Sequence, residues 1–220
     1  APEEVSTFRL VATLAIAGML AGLLIVVVNL HTKPIIDKWK AEQLQLAVYE
    51  VLPGVERYDT FYLVNDELSA TLPDGAKERE FKPEYVGRDA TAEPAGVAIS
   101  RGESAFQDVI MVIFGHDPAT GKLSGMKILD SKETPGLGDK IFKDMDFVDQ
   151  FFAGPETPLL AVKAGSGKGN PNEIDMITGA TISSKAVIQI INNALAEWKP
   201  VLDRGIPLAP PESAPVEEAP

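Results

Sequence analysis

The stretch Asp175-Met176-Ile177-Thr178-Gly179-Ala180-Thr181-Ile182-Ser183-Ser184 sets four hydroxyl side chains and two small residues where a polar loop gives way to an apolar, helix-periodic run. A helix start carries backbone N–H groups without intrahelical partners and the positive end of the macrodipole. Phosphate is the anion that such a place suits best. Gly179 and Ala180 leave room for a bulky group, and Thr181 presents a hydroxyl to it. The same residues also make a plain helix cap, since Ser and Thr are favoured there without any ligand. A second stretch with unusual local chemistry is Lys132-Glu133-Thr134-Pro135-Gly136-Leu137-Gly138-Asp139, a loop shaped by two glycines and a proline.

Other chemistries are thinly represented. The chain has no cysteine and two histidines, His31 and His116. Disulfides, thiolate catalysis and histidine-built metal clusters are therefore excluded. No Gly-x-Ser-x-Gly elbow or His-Glu-x-x-His motif occurs. The glycine-rich loop from Ala164 to Asn172 invites a nucleotide reading and fails it. A P-loop would need glycine at Val162 and Ser or Thr at Gly169; a dinucleotide fingerprint would need glycine at Asn170. A net charge of −12 argues against a nucleic-acid partner.

These loops need a scaffold, and hydrophobic periodicity supplies one. Residues 1–9 are a polar lead, and from Leu10 to Leu30 no charged residue appears. About 20 apolar residues suffice to cross a bilayer, so 10–30 reads as a transmembrane helix in contact with lipid. Gly18 and Gly22 form a small-xxx-small step along it. Pro34 can open a second, juxtamembrane helix over 31–54, with Ile35, Ile36, Trp39, Leu46, Tyr49 and Leu52 at helical spacing and Pro53-Gly54 as its stop. Residues 55–206 read as one α+β domain. Val109 to Phe114 is a buried strand, followed by a turn and a return strand from Leu123 to Leu129. Ile141 to Phe152 reads as one helix, Leu159 to Val162 as a strand, and Ala186 to Trp198 as a helical stripe closed by Pro200. Residues 207–220, rich in Pro and Glu, are expected to be disordered.

The run Asp175-x-x-Thr178-Gly179-Ala180-Thr181 resembles the flavinylation motif of proteins that carry covalent FMN, and Glu133-Thr134-Pro135-Gly136-Leu137-Gly138-Asp139-Lys140 resembles the second signature of the same domain. Membrane helix, glycine loop, threonine motif and closing helix also come in that family's order. The likeness is to the G subunits of Rnf-type ion-translocating electron-transport complexes, relatives of the C subunits of sodium-pumping NADH:quinone reductases. It implies that 55–206 is an FMN-binding domain and that a flavin transferase joins the FMN phosphate to Thr181 by a phosphoester, which makes the chain a phosphoprotein. It further implies that the protein relays electrons among partner subunits.

On that resemblance Thr178, Gly179, Ala180, Ser183 and Ser184 flank the attachment point, with the serines and helix N–H groups holding phosphate oxygens. Lys168, and Lys185 beside it in role, would offset the phosphate charge. Gly136, Leu137 and Gly138 would lie along the isoalloxazine, and Glu133 and Thr134 would bond its edge. The family often carries histidine where this chain has Ser131. Lys33, Lys38 and Lys40 after the span would by themselves keep the domain cytoplasmic. Covalent attachment argues instead for the outer side of the bacterial inner membrane, where lost FMN is not readily replaced. A membrane-anchored assembly module without a flavin is the alternative of a different class.

Overall fold

A computed structural model describes residues 6–64, 67–73, 81, 83–202, 204–205 and 217–218. The chain forms two compact units, Ala1–Leu44 and Gln45–Pro220. The first unit is helical. Helix α1 spans Thr7–Val51, and the side chains along its Leu10–Leu30 run are exposed almost without exception. At about 1.5 Å of rise per residue, such a run matches the roughly 30 Å hydrocarbon core of a bilayer. It is long and apolar enough to cross a membrane. Thr13 and Thr32 donate their hydroxyls to Arg9 O and Val28 O, so neither asks for an outside partner. The expected break at Pro34 is absent: the proline sits inside a continuous helix. A proline there removes one N–H and leaves one carbonyl unpaired, a local cost that a long helix tolerates.

The second unit is a sheet with helices packed against it. Strands β1 (Arg57–Val64), β2 (Glu67–Ser69), β3 (Pro83–Arg88), β4 (Pro94–Ser104), β5 (Val109–Asp117) and β6 (Lys122–Asp130) are ordered β2-β1-β3-β4-β5-β6, with every neighbouring pair antiparallel. Helices α2 (Lys140–Lys143), α3 (Met145–Phe152) and α4 (Thr181–Leu202) follow, with a small parallel pair, β7 (Leu160–Val162) and β8 (Glu173–Asp175), between α3 and α4. Of the tail expected to be disordered, only Glu217–Glu218 are described; they form β9, which pairs with β1. Residues 207–216 and 219–220 lie outside the described residues.

The β5 run is apolar throughout because both of its faces are covered. Ile110, Val112 and Phe114 join the main core with Val187, Ile190, Ile191, Ala194 and Trp198 of α4. Gly115, on the opposite face, lies under the end of α1, where a side chain would begin 2.0 Å from Val51 O. Helix α3 sits on β6 with Phe152 against Gly125, where a Cβ would fall 2.4 Å from the ring. The expected single helix over 141–152 is two, because Asp144 adopts an extended backbone (φ −85°, ψ 99°) between α2 and α3. Nor does Pro200 end α4, which continues to Leu202 and buries Val201 and Leu202. The architecture is α+β, an N-terminal apolar helix followed by a mixed domain.

Candidate functional site

Two amide side chains fix the frame on which the threonine motif hangs. Gln150 of α3 accepts from Asp175 N at 2.7 Å and donates to Asp175 O at 3.2 Å. Asn192 of α4 does the same for Leu159, at 2.8 Å to both N and O. From β8 the chain turns into α4 through Gly179, whose φ of +84° is a conformation that side chains rarely adopt. The turn closes with Ala180 N donating to Ile177 O at 3.1 Å. Ser184 locks it from below: its Oγ accepts from Ile177 N at 3.2 Å and donates to Ala180 O at 2.8 Å.

Thr181 is the first residue of α4 and is exposed, while Ala180, Ser183 and Ser184 around it are buried. Among the described residues its hydroxyl makes no hydrogen bond, and the N–H groups of Thr181, Ile182 and Ser183 have no backbone acceptor. A helix of 22 residues stands behind those donors. Their unpaired state and the helix dipole both favour an anion at this spot.

The Glu133–Asp139 loop closes over the helix start. Glu133 is buried, with Oε1 accepting from Gln107 N at 3.0 Å and Oε2 from Ser183 Oγ at 2.7 Å. Thr134 donates its hydroxyl to the Gln107 side-chain carbonyl at 2.7 Å. Leu137 N returns to Thr134 O at 3.1 Å, a turn that passes through Gly136 at φ +79°. Asp139 ties off the loop, accepting from Gly136 N at 2.7 Å and from Lys143 Nζ at 2.5 Å. The Lys143 ammonium, with the Gly136 N–H, holds the Asp139 carboxyl below its ordinary range. Ser131 Oγ accepts from Glu133 N at 3.3 Å and steadies the same loop.

Between the two segments lies a cleft of about 340 Å³, walled by Glu133, Thr134, Leu137 and Gly138 on one side and Gly179 to Ser183 on the other, with Phe106 at its mouth. Phe106, Leu137 and Ile182 are 64%, 54% and 59% exposed at its rim. Exposed apolar side chains clustered around unpaired donors are what a flat apolar ring with an anionic tail requires. The chemistry of the donor set therefore fits FMN. A larger hollow of about 440 Å³ beside His116 and Lys199 contains none of the motif residues.

Several expected roles change in the folded chain. Each oxygen of Glu133 accepts one hydrogen bond within the protein, so this carboxylate ties the cleft walls together. Gly138 faces inward: a Cβ there would lie 2.4 Å from Glu133 Oε2 and 2.9 Å from Ser183 Oγ. Its small size admits that hydrogen bond. Ser183 and Ser184 spend their hydroxyls on Glu133 and Ala180 O, which leaves the backbone N–H groups as the unpaired donors at the helix start. Gly136 stands exposed in the loop, outside the cleft lining. Thr178 lines a neighbouring hollow with Lys140. Lys168 is exposed in the glycine loop, where Glu173 accepts from its N–H at 2.6 Å, and it does not line the cleft. Lys185 is exposed and likewise outside the lining. Phe106, Gln107, Ile182 and Lys140 were not singled out by sequence. The first two sit in a short β4–β5 connection without a distinctive pattern, and Lys140 only ends the glycine-loop signature.

The family model for an FMN-binding domain matches residues 106–196. The chain is similar to the G subunit of the Na⁺-translocating ferredoxin:NAD⁺ oxidoreductase complex of Acetobacterium woodii, with 30% identity over 87% of this chain and 91% of that one. It is also similar to the G subunits of ion-translocating oxidoreductase complexes, with 30% identity over 83% of this chain and 85% of the protein in Cronobacter sakazakii. For Methanosarcina acetivorans the figures are 25%, 85% and 92%. Among solved structures, NqrC of Shewanella oneidensis superposes with a TM-score of 0.59 at 14% identity, covering 70% of this chain and 91% of that one. At that identity the likeness shows the fold alone.

Proposed function

This chain belongs to the family of G subunits of ion-translocating oxidoreductase complexes, and from that premise we propose a membrane-anchored flavoprotein that relays electrons through FMN joined to Thr181. The observation that carries the reading is the meeting of the two signature loops. Glu133 and Ser183, 50 positions apart, bond at the floor of one cleft, and the unpartnered Thr181 hydroxyl stands at its edge.

The linkage is a phosphoester from the Thr181 oxygen to the FMN phosphorus. A phosphate monoester lacks a good leaving group, so the donor is a flavin dinucleotide presented by a flavin transferase. The Thr181 O–P bond forms, the anhydride bond to the nucleoside monophosphate breaks, and the hydroxyl proton leaves to base. FMN, when bound, supplies one- and two-electron carriage. The protein's share is to fix the phosphoryl end with the N–H groups of Thr181, Ile182 and Ser183, and to cover the ring with Phe106, Leu137 and Ile182. The partners are the other subunits of the complex, and the relatives in sequence favour this assignment over a quinone-reductase C subunit, to which the likeness is one of fold.

Full-length protein co-expressed with a flavin transferase is expected to gain the mass of one FMN less water on the peptide that contains Thr181. Thr181→Ala loses all of it, along with the flavin fluorescence of the denatured band. An unmodified Thr181 peptide rejects the assignment and returns the chain to the non-redox assembly module. The domain from residue 45 onward is placed on the outer face of the bacterial inner membrane, because a covalent flavin suits a compartment without free FMN. Protease added to spheroplasts should cleave it; complete protection would reverse that placement.

A further inference from the structure

Lys140 opens α2 directly after the glycine loop, and its side chain runs toward the threonine motif. Its Nζ lies 3.9 Å from the point where a side chain on Gly179 would begin, and no other atom beyond the neighbouring residues comes within 4 Å of that point. The ammonium thus lies within contact distance of the bare Gly179 position, two residues before Thr181. The adjacent cation, Lys143, is already engaged by Asp139. Lys140 has no ion pair and no side-chain hydrogen bond among the described residues. Asp144, Asp146 and Asp175 share its hollow, yet none approaches its Nζ within 4.0 Å.

One ammonium without an ion pair and three N–H groups without acceptors thus flank one turn, the ammonium beside Gly179 and the N–H groups at Thr181 to Ser183. Such a concentration of positive potential is stabilised by an anion that accepts from all of them. The turn is shared by two depressions: Gly179 to Ser183 wall the apolar-rimmed cleft, and Met176 to Thr178 wall the hollow that holds Lys140. A ligand with a charged end and a flat apolar end is accommodated by placing one on each side.

We propose that Lys140, and not Lys168, is the charge partner of the phosphoryl group attached at Thr181. The inference rests on the reading of Thr181 as the attachment residue. Lys140 is a positioning residue: it orients and neutralises the phosphoryl group while the bond is made, and holds it afterwards.

The test uses the full-length chain, a purified flavin transferase and FAD, followed by intact mass over time. Lys140→Gln is expected to be modified about tenfold more slowly than wild type, as befits loss of one hydrogen bond to a charged group. Lys140→Arg restores most of the rate, and Lys168→Gln leaves it unchanged. A second readout concerns the finished protein. Acylation of lysines by acetic anhydride, mapped by peptide mass, should slow about tenfold at Lys140 once the flavin is attached, because the phosphoryl oxygens then engage its amine; Lys168 should react equally in both forms. Matching thermal unfolding of Lys140→Gln and wild type excludes misfolding as the cause. Wild-type modification rates in Lys140→Gln overturn the proposal, as does slowing in Lys168→Gln. Slow modification with unchanged acylation of Lys140 also overturns it, assigning the residue to recognition by the transferase. A wild-type chain that takes no flavin overturns the Thr181 reading itself, and this proposal with it.

Discussion

The loops at residues 131–139 and 164–172 look alike on paper: each has at least two glycines, a lysine, and a carboxylate within it or directly after it. In the folded chain they are opposites. The first is anchored from inside, with Glu133 buried between Gln107 and Ser183 and Gly138 pressed against that junction. The second is anchored at the surface, where Glu173 accepts from Lys168 N, Asn170 N and the Asn170 side chain. At Gly165 and Gly169 an added Cβ would meet nothing within 4 Å. Glycine content alone does not mark a binding loop. What matters is whether the space a glycine leaves is filled by something the site needs.

The same substitution in both loops is the strongest way to break this contrast. Neither Gly138 nor Gly167 has a positive φ, so only the surroundings differ. At Gly138 the new methyl would fall 2.7 Å from Glu133 Cβ as well as 2.4 Å from its Oε2. Gly138→Ala is expected to cost about 3 kcal/mol by overpacking and to open the cleft. At Gly167 the nearest atom is Glu173 Oε2 at 3.3 Å, the end of a flexible side chain. Gly167→Ala should stay within about 0.5 kcal/mol of wild type. Denaturant midpoints of the detergent-solubilised chain decide it, and equal losses would erase the distinction.

Removing the two carboxylates comes next in size. Glu133→Ala leaves the buried Ser183 hydroxyl and the part-buried Gln107 N–H unpaired, for about 2 kcal/mol and slower flavin loading. Glu173→Ala frees groups that water can reach, and should cost about 0.5 kcal/mol or less without affecting loading. Unfolding and intact mass on the same samples check both.

Acid gives the smallest and most local effect. Asp139 is held below its ordinary value of 3.8, chiefly by the Lys143 ammonium. At Glu173, burial pushes upward, but bonds from the Asn170 side chain and nearby N–H groups leave it below 4.5. Carboxyls with lowered folded values bind fewer protons than the unfolded chain does. Their stabilisation is complete above those ordinary values and is lost as pH falls through the lower folded ones. Lys143→Met is expected to move loosening of the 131–139 loop to higher pH and leave the other loop unchanged. Amide NMR signals of Gly136 and Lys168, followed down to about pH 2, report the two separately.

Much of this was legible in the sequence wherever one physical term dominated. The charge-free run from Leu10 to Leu30, the β5–β6 hairpin and the apolar stripe of α4 stand out because burial or lipid exposure sets every residue in them. Pro34 and Pro200 misled because proline's local penalty is small beside the length of the helices that contain them. Lys168 looked nearer to Thr181 than Lys140 did, since proximity along the chain says nothing about which lysine a sheet and two short helices will bring across the turn. Ser183 and Ser184 looked alike as phosphate donors, but facing directions one residue apart on a helix are about 100° different, and each found its own partner indoors. Such choices among equivalent side chains are made only by packing.

The bond from Ser183 to Glu133 also carries information about time. Its partners are separated by 50 positions, with α2, α3 and the β7–β8 pair between them. Contacts of that span form only after the intervening chain has been gathered in. The Thr181 hydroxyl exists from the moment the residue is synthesised, whereas both walls beside it exist only once the domain is finished. A modifying enzyme that requires those walls would load cofactor onto completed domains and pass over immature ones, so the same hydrogen bond would act as a checkpoint in biogenesis.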